Sequence, residues 1–292
     1  MAQNYKYTKE DILRAAKSGK PLRYRTLYVY PLTVNDYELL WSCESALTIR
    51  LSTLPVAYAI KSYPEALFAI AVSGKDIDVN GEIVARPSDW ARFLYLLCAS
   101  CRIPENAIRS CIGFNVDNQD NTKLRSVSIH QITENEEVAE LLSTDDLSNL
   151  RYIIAVMNGR KIPDESENAE LAQAELDMKT SGAMSLDFNL DSLLASVARD
   201  QRVRIKDLYD WTIYEFELIR AAIERERRFT VFGIGENSGM VKFPKGNPYP
   251  SIFFDKPADI KGVIDASEFT NRISNTVKAT DKLPDNLPII TK

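Results

Sequence analysis

Four short stretches fix where helices begin in this chain. Thr8-Lys9-Glu10-Asp11, Thr33-Val34-Asn35-Asp36, Ser143-Thr144-Asp145-Asp146 and Thr212-Ile213-Tyr214-Glu215 each place a hydroxyl three residues ahead of an acid. This is the reciprocal box that satisfies the first backbone N–H groups of a helix. Each has an apolar residue just before the cap and another inside the first turn: Tyr7 with Ile12, Leu32 with Tyr37, Leu142 with Leu147, and Trp211 with Phe216. Such pairs fix the angle at which the chain enters the helix. A fifth stretch, Thr133-Glu134-Asn135-Glu136, has the box without the apolar pair and predicts a further helix start.

Between these starts the pattern changes. Thr26–Leu32 (TLYVYPL) is aromatic and β-branched and reads as a strand. Pro64 suits the first turn of a helix running to about Val72, and Asn80-Gly81 marks a turn or small hairpin. Ser88 caps a helix from Asp89 to about Ser100, with Trp90, Phe93, Leu94, Leu97 and Cys98 on one face. A short helix follows Pro104, and Phe114–Ile129 reads as a hairpin around the polar DNQDNT loop. Leu147–Met157 is a helix stopped by Asn158-Gly159, and another runs from about Asp191 to Arg199. Beyond Arg228 the pattern loosens into short strands, Gly/Pro turns and an extended tail. The fold class is mainly α with small β elements. The expected organisation is an N-terminal α+β domain over 1–162, an acidic linker over 163–185, and a C-terminal helical domain with its tail over 186–292.

Charge narrows the function classes. Lys plus Arg is 36 against 41 for Asp plus Glu, a net charge of −5, and no local basic patch offers itself to nucleic acid. The longest apolar run near a helix, Phe93–Cys101, is about half of what a membrane span needs, and the N-terminus lacks the apolar core of a signal peptide. A cytoplasmic protein is expected.

Candidate chemistry weighs little. Cys98, Cys101, Cys111 and His130 can be written as a zinc set. However, Cys98 lies on an apolar helix face and the spacing matches no compact knuckle, so buried free thiols are the favoured reading. His130 is the only histidine, has no nucleophile signature to serve, and reads as a surface residue. Gly233–Gly239 has the wrong spacing for a dinucleotide or phosphate loop and reads as a flexible loop. The acids of Pro163–Asn168 read as a solvated linker. No catalytic residue, metal or cofactor is expected.

Lys206–Arg228 (KDLYDWTIYEFELIRAAIERERR) remains. At 100° per residue, Leu208, Leu218, Ile219, Ala222 and Ile223 cluster on one side with Phe216 at the edge. Glu217, Arg220, Glu224 and Arg227 lie opposite, and their alternating signs leave that face neutral. This is a core-packing pattern with more aromatics than a core helix requires, which leaves Tyr209, Trp211 and Tyr214 as candidate partner-binding residues.

Glu44–Phe68, Arg204–Glu217 and Ser238–Lys256 together resemble a family of bacteriophage and prophage proteins encoded in the tail module near the tape-measure gene. The Asp207–Glu215 helix and the Tyr28–Tyr37 stretch look like elements of phage tail assembly chaperones. The resemblance implies a non-catalytic protein that binds the tape measure protein or tail-tube subunits in the host cytoplasm, with homo-oligomerisation left open. The second reading is a structural virion component: a connector, baseplate or tail-completion protein.

Overall fold

The computed structural model describes residues 7–73, 88–132, 137–165 and 189–238. Over these the chain is mainly helical with two small antiparallel sheets, a mainly α fold with small β elements. The Asn80-Gly81 turn, the Thr133 box, most of the acidic stretch and the C-terminal tail lie outside the described residues.

The capping boxes work as read. Helix α1 (Lys9–Ser18) starts at Thr8, whose Oγ1 accepts from the Asp11 N–H at 3.2 Å while Asp11 accepts from the Thr8 N–H at 3.2 Å. A two-stranded hairpin follows, β1 (Leu22–Tyr24) with β2 (Leu27–Val29). Thr33 opens a 3-10 turn that runs into α2 (Tyr37–Cys43), and α3 (Ser45–Thr48) and α4 (Val56–Ala59) are single turns. Next come α5 (Tyr63–Val72), α6 (Asp89–Ser100) and α7 (Ile108–Cys111).

The second sheet has the order β3 (Ile112–Val116), β4 (Leu124–Ile132), β5 (Glu137–Ser143). The expected hairpin is β3–β4, with Phe114 opposite Val127. Past the Thr133 box, residues 137–143 form a strand, so no helix runs through them. Pairing decides it: β4 offers an edge along Ser126–Ile132, and β5 fills it from Ser143 back to Glu137.

Helix α8 (Thr144–Met157) is the centre of the fold. Leu147, Leu150, Ile153, Ile154 and Met157 are buried in it, and it packs against α1, α5, α6 and the three-stranded sheet. A helix apolar on most of its circumference is stable only when covered on most sides. Its one buried cation, Arg151, donates from Nε to the Leu47 carbonyl at 2.8 Å and from Nη2 to the Ile49 carbonyl at 3.2 Å, and stacks 3.3 Å over the Tyr63 ring. Asp146, in its first turn, accepts from the Tyr24 hydroxyl at 2.8 Å and pairs with Arg25 at 2.8 Å. Arg25 sits at φ 53, a left-handed turn that brings its guanidinium onto Asp146 and Glu140.

Helices α9 (Leu190–Gln201), α10 (Ile205–Leu208) and the start of α11 (Ile213–Asn237) join the same core through Leu194, Val197, Leu208, Ile213 and Phe216. The division of the chain therefore differs from the expected boundary at 163–185. One compact unit spans Met1–Glu224, and the second spans Arg225–Lys292, of which residues 225–238 are described.

The region after Arg228 also differs from expectation. Residues 229–237 continue α11 in place of short strands, and Gly233 and Gly235 lie inside the helix instead of in a loop. Each glycine costs a helix about 1 kcal/mol against alanine, and a helix already nucleated upstream propagates through such a penalty.

Glu165, expected in solvated linker, accepts from the N–H groups of Leu51 at 3.1 Å and Ser52 at 3.3 Å. An exposed carboxylate at the first turn of the 3-10 turn Leu51–Thr53 satisfies donors that have no partner within the turn.

No helix among the described residues is long and apolar enough to cross a membrane.

Candidate partner-binding site

The three aromatic candidates do not form an open cluster. Tyr209, Trp211 and Tyr214 are each partly buried and packed against the core. Tyr214 covers Gly159, whose φ of 72 marks the left-handed stop of α8, and a Cβ built there would lie 3.5 Å from the Tyr214 ring. Trp211 is held by its backbone, its carbonyl accepting from the Val34 N–H at 2.9 Å. Thr212 bridges Thr33 in antiparallel fashion, and the Ile213 N–H donates to the Leu32 carbonyl at 2.9 Å. Thr212 caps α11 as read, accepting from the Glu215 N–H at 3.1 Å.

Part of the expected stripe faces inward: Leu208 and Phe216 are buried and Ile219 and Ile223 pack against the core, while Leu218 and Ala222 do not. Phe216 is fully buried and meets the Tyr37 ring edge-on at 5.9 Å and 79°. Leu218 is 52% exposed and Ala222 is exposed. Glu217 and Arg220, expected outside, turn inward: Glu217 accepts from the Tyr37 hydroxyl, and Arg220 reaches Glu217 at 2.7 Å and Glu224 at 2.6 Å. Burial, then the Glu217 carboxylate, pushes the Tyr37 hydroxyl above its ordinary value. A polar pair beside a tyrosine hydroxyl is satisfied there, so Glu217 and Arg220 turn inward while Leu218 and Ala222 face out.

The segment that Trp211–Ile213 grips is the most informative part of the molecule. Residues 30–33 lead from β2 to the 3-10 turn, and from Tyr28 to Val34 four alternate N–H groups find four unrelated acceptors. Tyr28 donates to Gln131 Oε1 at 2.8 Å, and Tyr30 donates to the Ser100 carbonyl at 2.7 Å. Leu32 donates to Asn158 Oδ1 at 3.0 Å, and Val34 to the Trp211 carbonyl at 2.9 Å. Side-chain amides and a helix-end carbonyl thus replace a sheet neighbour, which satisfies the rule that buried backbone donors are paired. Gln131 also donates to the Tyr28 carbonyl at 2.7 Å and the Cys101 carbonyl at 2.8 Å. Neither Gln131 nor the acceptor role of Asn158 was legible in the sequence, where both read only as polar residues near element ends.

This extended segment forms one wall of a groove of about 730 Å³. Tyr30, Pro31 and Thr33 of that segment, Leu39 and Cys43 of α2, and Tyr95, Cys98 and Ala99 of α6 all line it. Beyond α6, Arg102, Ile103, Pro104 and Ile108 complete it. Aromatic, proline and aliphatic surface with a few polar groups is the usual lining of a recognition groove. Thr33 belongs both to the groove and to the bridge with Thr212, so the aromatic stretch around Trp211 supports the groove's wall from behind.

Cys98 and Cys101 are buried, and burial pushes each thiol up to about 12. Both are therefore neutral thiols at physiological pH and poor nucleophiles. His130 is exposed on β4. Among the described residues no three His, Cys, Asp or Glu side chains gather closely enough to hold a metal ion.

Comparison of the chain with protein-family models, with curated proteins and with solved structures returned no match.

Proposed function

We propose that this chain is a non-catalytic bacteriophage tail assembly protein, a chaperone that binds the tape measure protein or tail-tube subunits during tail morphogenesis. The observation that carries the proposal is the groove over Tyr30, Leu39, Tyr95 and Ile108, an apolar and aromatic recess walled by a segment whose backbone donors are already engaged. A surface of that kind recognises a protein segment through side chains and requires no chemistry. The resemblance of Glu44–Phe68, Arg204–Glu217 and Ser238–Lys256 to tail-module proteins supplies the context. An acidic balance of −5 is compatible with keeping an apolar client in solution.

The test is co-expression of the full chain with the tape measure protein and the tail-tube subunit of the same tail module. The chaperone reading expects stoichiometric co-purification with one of them, and absence from purified particles by mass spectrometry. Abundant, stoichiometric copies in finished particles would overturn it in favour of a structural connector, baseplate or tail-completion component.

A further inference from the structure

We propose that the groove receives an apolar segment of the protein partner that carries a carboxylate, and that Arg102 is the residue that reads that carboxylate; this rests on the partner-binding function proposed above. Charge is the first argument. Among its described lining residues the groove holds one acid, Asp36, and one cation, Arg102. Asp36 is engaged, its Oδ2 accepting from the Thr33 N–H and the Thr33 hydroxyl at 3.1 Å each. The Arg102 guanidinium makes no hydrogen bond or ion pair with any described residue. It lies 4.1 Å over the Tyr30 ring. Stacking of this kind leaves the five N–H donors in the guanidinium plane open at its edge, the geometry that takes a carboxylate through two parallel bonds.

The backbone gives the second argument. Arg102 sits at φ 54, in the left-handed region that glycine prefers. Arg25, at φ 53, shows what such a turn does in this fold, presenting a guanidinium to Asp146 at 2.8 Å and Glu140 at 3.4 Å. Here the left-handed residue is the stop of α6: the Arg102 N–H donates to the Ala99 carbonyl at 3.0 Å and the Ile103 N–H to the Cys98 carbonyl at 2.8 Å. That stop sets Arg102 in the lining of the groove, where its guanidinium pairs with no described acid.

The mode of recognition follows from the wall. The N–H groups of Tyr30, Leu32 and Val34 are engaged as above, that of Thr33 donates to Asp36, and Pro31 has none. A partner therefore cannot pair with these donors as an added strand. It engages Leu39, Tyr95, Ile103 and Ile108 through apolar side chains and Arg102 through its acid.

The experiment displays random peptides of about twelve residues and selects them on the immobilised full chain. Wild type is expected to enrich peptides with Asp or Glu among apolar residues. Arg102→Gln and Arg102→Gly are expected to weaken the selected peptides about tenfold or more and to erase the acidic enrichment. Arg102→Gly should leave the urea midpoint equal or higher, since glycine relieves the left-handed turn. Enriched peptides without an acidic preference, or binding unchanged in Arg102→Gln, would overturn the proposal. Octanoate, a carboxylate on an apolar tail, is the small-molecule arm: binding of octanoate to wild type but not to Arg102→Gln, with no peptide selected, would replace the peptide with a small carboxylate. The two proposals fail separately. Co-purification of a tail protein that is unchanged in Arg102→Gln and Arg102→Gly removes this groove assignment and keeps the function. Selection of Arg102-dependent acidic peptides, with no tail protein co-purifying, removes the function and keeps the groove.

Discussion

Which face of α11 is buried can be decided by a pair of substitutions two residues apart. Phe216 is fully buried against Tyr37, and Leu218 is 52% exposed. Phe216→Ala removes a complete core side chain, a change that costs about 3–5 kcal/mol including the cavity left behind. Within that figure the lost edge-on ring pair accounts for about 1 kcal/mol. Leu218→Ala removes methyl groups that already face solvent on one side, and is expected to cost under about 1 kcal/mol. Equilibrium urea unfolding followed by far-UV circular dichroism reads both. With a slope of about 3 kcal/mol per molar urea, Phe216→Ala moves the midpoint down by about 1–1.7 M, and Leu218→Ala by less than about 0.3 M. The Tyr37→Leu, Phe216→Ala double mutant should be less destabilised than the sum of the singles, because the ring pair is lost only once. Equal costs for Phe216→Ala and Leu218→Ala, or a larger cost for Leu218→Ala, would refute the placement and return Leu218 and Ala222 to the inner face beside Ile219 and Ile223.

Asp146→Asn should destabilise by about 2 kcal/mol, since the charge that accepts from Ser143, Tyr24 and Arg25 is gone. Burial alone would raise the Asp146 carboxyl, but those hydrogen bonds and the Arg25 charge outweigh it and hold it below its ordinary 3.8. Its contribution is therefore complete above pH 3.8 and is lost as pH falls through the lower folded value, so the wild-type advantage over Asp146→Asn should shrink in acid; an advantage that grows below pH 3.8 would contradict this. Cys43, Cys98, Cys101 and Cys111 are all buried. A chromogenic disulfide reagent at pH 8 should find none of the four thiols in the native chain and all four in guanidinium, and rapid native labelling would contradict their burial.

Helix starts were legible because their causes are local. A hydroxyl at Thr8, Thr33, Ser143 or Thr212 and the acid three residues on complete their bonds within one turn, and no distant residue is needed to form them. The same holds for α6, announced by Ser88 and by apolar spacing, and for the β3–β4 hairpin around its polar loop. The Thr133 box lies outside the described residues, but the residues after it had a better use than a helix: the edge of β4 lay open, and Glu137–Ser143 pair along it as a strand.

The candidate site was legible only in part. The aromatics of Lys206–Arg228 stood out in the sequence, but in the fold they brace the wall of the groove, while its lining comes from residues 30–43 and 95–108. Arg102 gave no signal beyond a charge ending an apolar run. Its place in the groove depends on where the stop of α6 leaves it and on its having no ion pair with a described acid, neither of which a linear pattern contains.

The sequence by itself determined the fold class and the positions at which helices begin, because capping, apolar spacing and turn chemistry act over a few residues. Tertiary structure decided which acceptors Tyr28, Tyr30, Leu32 and Val34 would find, and which side of α11 would be covered. It also decided that residues up to Glu224 share one compact unit. Those outcomes depend on partners about 70 to 180 residues away in the chain, such as Ser100 for Tyr30 and Trp211 for Val34. Buried donors must be paired by whatever the fold brings near, and only the folded chain contains that information.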